Sequence, residues 1–229
     1  MVGAGALIEC LDDPRVRSVL AIGRSPTGRS HPKLREALHS DFFEYDTLRA
    51  DFASCDACFF CLGVSAVGMA EAAYSRLTYD LTLAAARAMV ASNPNLTFCY
   101  VSGVGTDSTE RGRTMWARVK GRTENALVAL PFKAAYMFRP GFIQPMKGVR
   151  SKTGWYQAMY TLTAPFFPVL QRLFPRASTT TANLGRALIE VAVKGYPKPI
   201  LYSPEINALA AKASSSKEGS PWIPRLPPF

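Results

Sequence analysis

Three small groups of residues in this chain have types and spacings suited to chemistry. Trp116 and Lys120 are four residues apart on a helical stretch, which puts both on one face. An ammonium there can grip an anion or a hydroxyl. An indole N–H only donates a hydrogen bond, so Trp116 cannot act as acid or base at neutral pH. Arg24-Ser25, with Arg29 close by and no acid between them, forms a compact cationic spot just after an apolar run. Cys55, Cys58 and Cys61 repeat at three-residue steps, a spacing that also occurs in iron–sulfur and zinc sites. Here the apolar Phe-rich run containing them argues for buried small hydrophobes, because an odd offset on a strand points Cys58 and Cys61 to opposite faces. No metal site is expected.

Other features are weaker. Gly3-Ala4-Gly5 and Gly103-x-Gly105 are incomplete phosphate-loop patterns, the first because Ile8 fills the last glycine place, the second because a polar loop follows it. His31 and His39 lie in a polar stretch without a Ser–His–acid arrangement.

The elements that must position these residues are short apolar runs alternating with helical stretches, the pattern of βαβ units around a parallel sheet. Strands are expected at 19–22, 42–45, 57–62, 96–101 and 134–138. Helices are expected at 3–11, 34–38, 69–92 and 114–130, then near 154–173, 181–194 and 204–213, with a short strand at 200–202. In such a doubly wound sheet the ligand site lies at the carboxyl ends of the strands. That selects Gly23-Arg24-Ser25, Asp46, Gly63-Val64-Ser65, Ser102-Gly103-Val104 and Arg139-Pro140-Gly141-Phe142. An Arg after the second strand of a dinucleotide fold accommodates a 2′-phosphate, so Arg24 and Ser25 predict NADP over NAD.

At these residues the chain resembles the atypical short-chain dehydrogenase/reductases of the NAD-dependent epimerase/dehydratase and NmrA-like kind. Its closer likeness is to their Tat-interacting-protein-like branch. The likeness covers about residues 1–145, and the C-terminal part more loosely. It implies a Rossmann-type α/β fold: a cofactor-binding core over 1–145, a small helical substrate-capping lobe over 146–213 packed on that core and a Pro-rich tail over 214–229.

The family's Gly-x-x-Gly-x-x-Gly loop is matched only in its last third, at Met1-Val2-Gly3. The first strand and the first two glycines are missing, which leaves two inner strand edges without partners. A start placed too late, or a fragment, is the expected reason.

The resemblance further implies Gly3 at the pyrophosphate, Asp46 at the adenine, Leu62 and Gly63 passing under the cofactor, and Pro140 and Gly141 beside it. Ser102 would polarise a substrate carbonyl and Lys120 would hold the nicotinamide ribose. The family's catalytic tyrosine is replaced by Trp116. Two functions follow: NADP-dependent reduction of a small hydrophobic carbonyl compound in a pocket shaped by 141–176, or a non-catalytic NADP-sensing or scaffold role.

The 229 residues carry 27 Lys and Arg against 17 Asp and Glu, a net charge of +10. That excess favours an anionic partner. It concentrates between Arg111 and Lys152, where Glu124 is the one acid. The cluster lacks the aromatic interleaving and reading motifs of a nucleic-acid binder, so no nucleic acid is expected. The aromatic, Pro-interrupted segment 155–174 with its basic flanks suggests a third reading, weak contact with an acidic membrane surface. At 48% hydrophobic and 19% charged the chain can bury a core. No spanning run or signal peptide is legible, so a cytoplasmic location is the default expectation.

Overall fold

The computed structural model describes residues 1–146 and 178–218. The expected helix at 154–173, the 155–174 membrane segment and most of the tail lie outside them.

The chain opens with helix α1 (Val2–Asp12) and then strand β1 (Val19–Gly23), which pairs in parallel with β2 (Leu34–Leu38). After a short 3-10 turn (Asp46–Leu48) and α2 (Arg49–Ala53) comes β3 (Ala57–Phe60). Next is one long helical run: α3 (Glu71–Ser75), a π-helical turn (Arg76–Asp80) and α4 (Leu81–Ser92). Its alanines favour helix, and the chain turns extended at Asn93, just before Pro94, where helix geometry is disfavoured. Then follow β4 (Thr97–Val101), α5 (Met115–Val128), β5 (Ala134–Arg139) and β6 (Phe142–Gln144). Past the undescribed segment lie β7 (Ser178–Thr180), α6 (Thr181–Lys194), β8 (Ile200–Tyr202) and α7 (Ser203–Glu218). Thr180 caps α6 by accepting from the Asn183 N–H, and Gly195, at φ +72°, ends it.

The architecture is a parallel, doubly wound Rossmann-type sheet with helices on both faces. Its main block has the order β3-β4-β5-β8 and is parallel throughout. One face packs an aromatic cluster around Phe60, Phe98 and Tyr100 against α2, α4 and Leu127 of α5. The other packs Cys99, Phe138 and Leu201 against α1, α6 and α7. Cys58 joins the first cluster and Cys61 the second, as the odd offset requires.

Among the described residues β1 has a ladder only with β2, and β3 only with β4. The sheet is thus interrupted between β1 and β3, while α1 packs across both strands.

Two expectations need correction. Leu34–Leu38 is a strand, not a helix. Five residues are too few to sustain a helix alone, and the register with β1 runs unbroken from Leu34 opposite Val19 to Leu38 opposite Gly23. Phe42–Tyr45 is not a strand. The Asp41 carboxylate accepts the Phe43 N–H in a tight turn, and the Phe42 and Tyr45 rings fold inward against His39 and Phe52. Of the C-terminal part, β8 extends the main sheet and α6 packs on α1, because their apolar residues complete its second face.

Candidate functional site

At the carboxyl end of β4 the backbone turns at Gly103, whose φ of +150° few other residues adopt. A Cβ at this position would lie 3.9 Å from the Lys120 ammonium and 3.9 Å from the Pro140 carbonyl oxygen. Lys120 Nζ donates to the Ser102 main-chain carbonyl at 2.5 Å, and Val104 N donates to Pro140 O at 2.8 Å. The ends of β4 and β5 and the middle of α5 therefore meet at one place. Burial pulls the Lys120 pKa below the ordinary lysine value, and the Glu124 carboxylate one turn further on works against that shift.

Helix α5 reaches this position because residue 121 is glycine. A Cβ there would sit 1.7 Å from the Asp107 carbonyl oxygen, so only glycine lets the helix press this close to the 103–114 loop. The loop is braced by Asp107, whose carboxylate accepts from the Thr109 N–H, the Thr109 hydroxyl and the Gly112 N–H. Those bonds hold the Asp107 carboxyl below its usual range. Trp116 lies one turn before Lys120 with its indole against Gly105, 3.2 Å from the position a Cβ would take there.

Ser102 is buried, at 8% exposure. Its hydroxyl points inward, donating to Glu124 Oε1 at 2.5 Å and lying 3.2 Å from Phe138 O, rather than standing free for a substrate. Behind it Glu124 and Arg139 form a buried ion pair. Arg139 Nε contacts both carboxylate oxygens at 3.1 and 3.0 Å and Nη2 reaches Oε2 at 2.5 Å. Nη2 also donates to Ser108 Oγ at 2.5 Å, and Nη1 to the Tyr202 hydroxyl at 3.1 Å.

The other expected site residues fall at neighbouring strand ends. Gly3 begins α1 beside Cys61, with a Cβ position 3.4 Å from the Cys61 Cβ, so the helix N-terminus faces the end of β3. Leu62 and Gly63 are exposed just beyond β3, and nothing lies within 4 Å of the Gly63 Cβ position. Arg24 and Ser25 are exposed past β1. Pro140 is buried, and Gly141 N donates to Ser203 Oγ at 3.0 Å.

Asp46 is not at a strand end. It sits in the 3-10 turn paired with Arg49 at 2.8 Å, and the acid that does follow a strand is Asp41, three residues past β2, whose polar Arg-Glu centre hides that strand in the sequence. Burial pushes the thiols of Cys10 and Cys61 up to about 12, which keeps them protonated and inert.

No protein-family model matches the chain, and no curated protein sequence does. Solved structures do share its fold. The Bordetella bronchiseptica enzyme WbmF in complex with NAD+ is 15% identical, with a TM-score of 0.60 over 99% of this chain and 78% of that one. Its counterpart WbmG from the same organism, in complex with NAD, is 11% identical, with a TM-score of 0.60 over 100% and 78%. Helicobacter pylori ADP-L-glycero-D-manno-heptose-6-epimerase is 10% identical, with a TM-score of 0.61 over 93% and 78%. At such identities the likeness is one of fold.

The same comparisons correct the cofactor expectation. WbmF is seen with NAD+ and NADH, and WbmG with NAD, so the preference for NADP over NAD does not stand. The physical reason lies in Arg24. A solvated arginine can accommodate a 2′-phosphate, but it does not exclude a 2′-hydroxyl.

Proposed function

We propose that the chain binds NAD at the carboxyl ends of its strands and works as an oxidoreductase or epimerase-like enzyme on a small apolar carbonyl or alcohol. The observation that carries this reading is the Lys120 ammonium, held at 2.5 Å by the Ser102 carbonyl at the meeting point of β4, β5 and α5. The residues there suit a dinucleotide. The N-terminus of α1 favours an anion, Gly63 leaves the backbone open to close approach, and Asp41 stands past β2 for a ribose or base.

Bound NAD would supply hydride transfer at its nicotinamide ring. The chain's own part is to orient and to handle a proton. Trp116 can only donate a hydrogen bond, so Lys120 Nζ, fixed at the Ser102 carbonyl beside the strand ends, is the group of this cluster we assign to proton handling. Leu62, Val64 and Val104, all exposed by 43% or more at the strand ends, supply an apolar rim for the substrate.

A second reading rests on Trp116: an NAD-binding regulatory protein without turnover. Calorimetric titration with NAD+ tests what the two share. Micromolar to millimolar binding is expected, weakened about tenfold in Lys120→Met by loss of one charged hydrogen bond. No heat at millimolar NAD+ defeats both readings. NADH consumption across a panel of apolar ketones separates them, since turnover supports the enzyme and binding without turnover supports the regulator.

A further inference from the structure

The structure assigns Glu124 a positioning role: through Ser102 it fixes the place of the Lys120 ammonium. Three links make the chain. Glu124 Oε1 accepts the Ser102 hydroxyl, Arg139 locks both carboxylate oxygens, and the Ser102 carbonyl accepts Lys120 Nζ. Ser102 is thus held at three points, its N–H on the Phe138 carbonyl, its hydroxyl on Glu124 and its carbonyl on Lys120.

The wider network leaves little room for slack. The Arg139 guanidinium is also engaged by Ser108 and Tyr202, so all three of its nitrogens carry a hydrogen bond. A buried pair of this kind gains little stability over apolar residues of similar volume, because desolvation of two ions offsets their attraction. Stability alone is a poor reason for it. A role in geometry is a better one, since each member has a single arrangement that satisfies all the others. Lys120 and Glu124 are also one helical turn apart, so the same helix presents the ammonium and its indirect anchor.

This inference rests on the proposed NAD site for its purpose but not for its test. Lys120 acylation by an amine-specific reagent is measured at one pH by peptide mass spectrometry, relative to Lys198 in the same molecule. Ser102→Ala keeps the carbonyl and cuts the link to Glu124. Glu124→Gln removes the charge, Glu124→Asp restores it on a shorter arm, and the Glu124→Leu/Arg139→Met double variant replaces the pair with apolar volume.

Once the link is cut, Lys120 should acylate about tenfold faster in Ser102→Ala, which leaves the Glu124 charge in place, and nearer the wild-type rate in Glu124→Asp. Glu124→Gln and the double variant also remove the charge that raises the Lys120 pKa, and so report charge and position together. Equal Lys120 acylation in wild type and in every variant that keeps its circular dichroism overturns the positioning role and leaves Glu124 a structural ion. If wild type binds no NAD+, the NAD reading falls while the acylation result still decides this one. If wild type binds it, Ser102→Ala should weaken binding in step with its Lys120 exposure.

Discussion

The β1–β2 pair and the β3-β4-β5-β8 block are built from the same kind of parallel strand and are held in different ways. In the four-stranded block, Phe98, Cys99, Met137, Phe138 and Leu201 are completely buried, and both faces are packed by helices. In β1 every residue is only partly buried, and in β2 only Leu34 and Ala37 are partly buried, the other residues being exposed.

Ile22 and Ala37 pack the smaller pair against the aromatic cluster, and polar contacts from the residues flanking its strands add to that. Lys33 Nζ donates to the carbonyls of Leu11 and Asp13 at the end of α1, and Arg15 bridges Asp13 and Glu190 of α6. Parallel strands draw most of their stability from burial on both faces. A strand pair that lacks it must lean on charge and hydrogen bonds, and should be more sensitive to acid and to local opening.

The largest effect that tests this contrast is in the main block. Phe98 is stacked between Phe60 and Phe132 and is fully buried. Phe98→Ala removes that ring and leaves a cavity, so about 3–5 kcal/mol should be lost in urea unfolding. The same truncation at half-buried Leu20 of β1 should cost clearly less. Equal losses would break the comparison.

Arg15 probes the smaller pair. Its guanidinium gives hydrogen bonds of 2.7 Å to Glu190 and 2.9 Å to Asp13, both buried carboxylates. Arg15→Ala should cost about 2 kcal/mol, within the range for hydrogen bonds to charged groups. Hydrogen exchange should place the loss in β1 and β2, with the β4 and β5 amides little changed.

The pH dependence has a definite sign. Burial raises the Glu190 pKa, but hydrogen bonds from Arg15 and Lys194 outweigh it and hold the group below its ordinary 4.5. Its contribution is therefore fully present above 4.5 and is lost as pH falls through the lowered folded-state value. In mild acid the β1–β2 amides should open before those of the main sheet, and Glu190→Gln should flatten that dependence.

The same division governs what could be read from the chain. The main block was legible because its strands are continuous apolar runs such as Thr97–Val101, and its helices are long, alanine-rich or closed by proline. The elements around Ser102 and Lys120 are unambiguous in the sequence, and the structure has Ser102 just past β4 and Lys120 on α5. The β1–β2 region was harder. Leu34–Leu38 carries Arg and Glu at its centre because one edge of it faces solvent, so its pattern reads as helix, and the strand expected at 42–45 put Asp46 at a strand end that the structure does not have. The inward turn of the Ser102 hydroxyl depends on Glu124 and Arg139, which are 22 and 37 residues away in sequence. No local pattern encodes that contact.

The smallest effect sharpens the comparison most cleanly, because it holds residue type and strand position fixed. Leu38 of β2 and Leu201 of β8 are both leucines on strands at the end of their sheet's order. Leu201 is completely buried against α6 and α7, whereas Leu38 is 65% exposed. Leu38→Thr gives up little buried area, and a β-branched residue suits an exposed strand, so stability should move by no more than about 0.5 kcal/mol. A loss of several kcal/mol in urea unfolding would mean that something covers β2 in solution, and the smaller pair would then be held by burial like its neighbour.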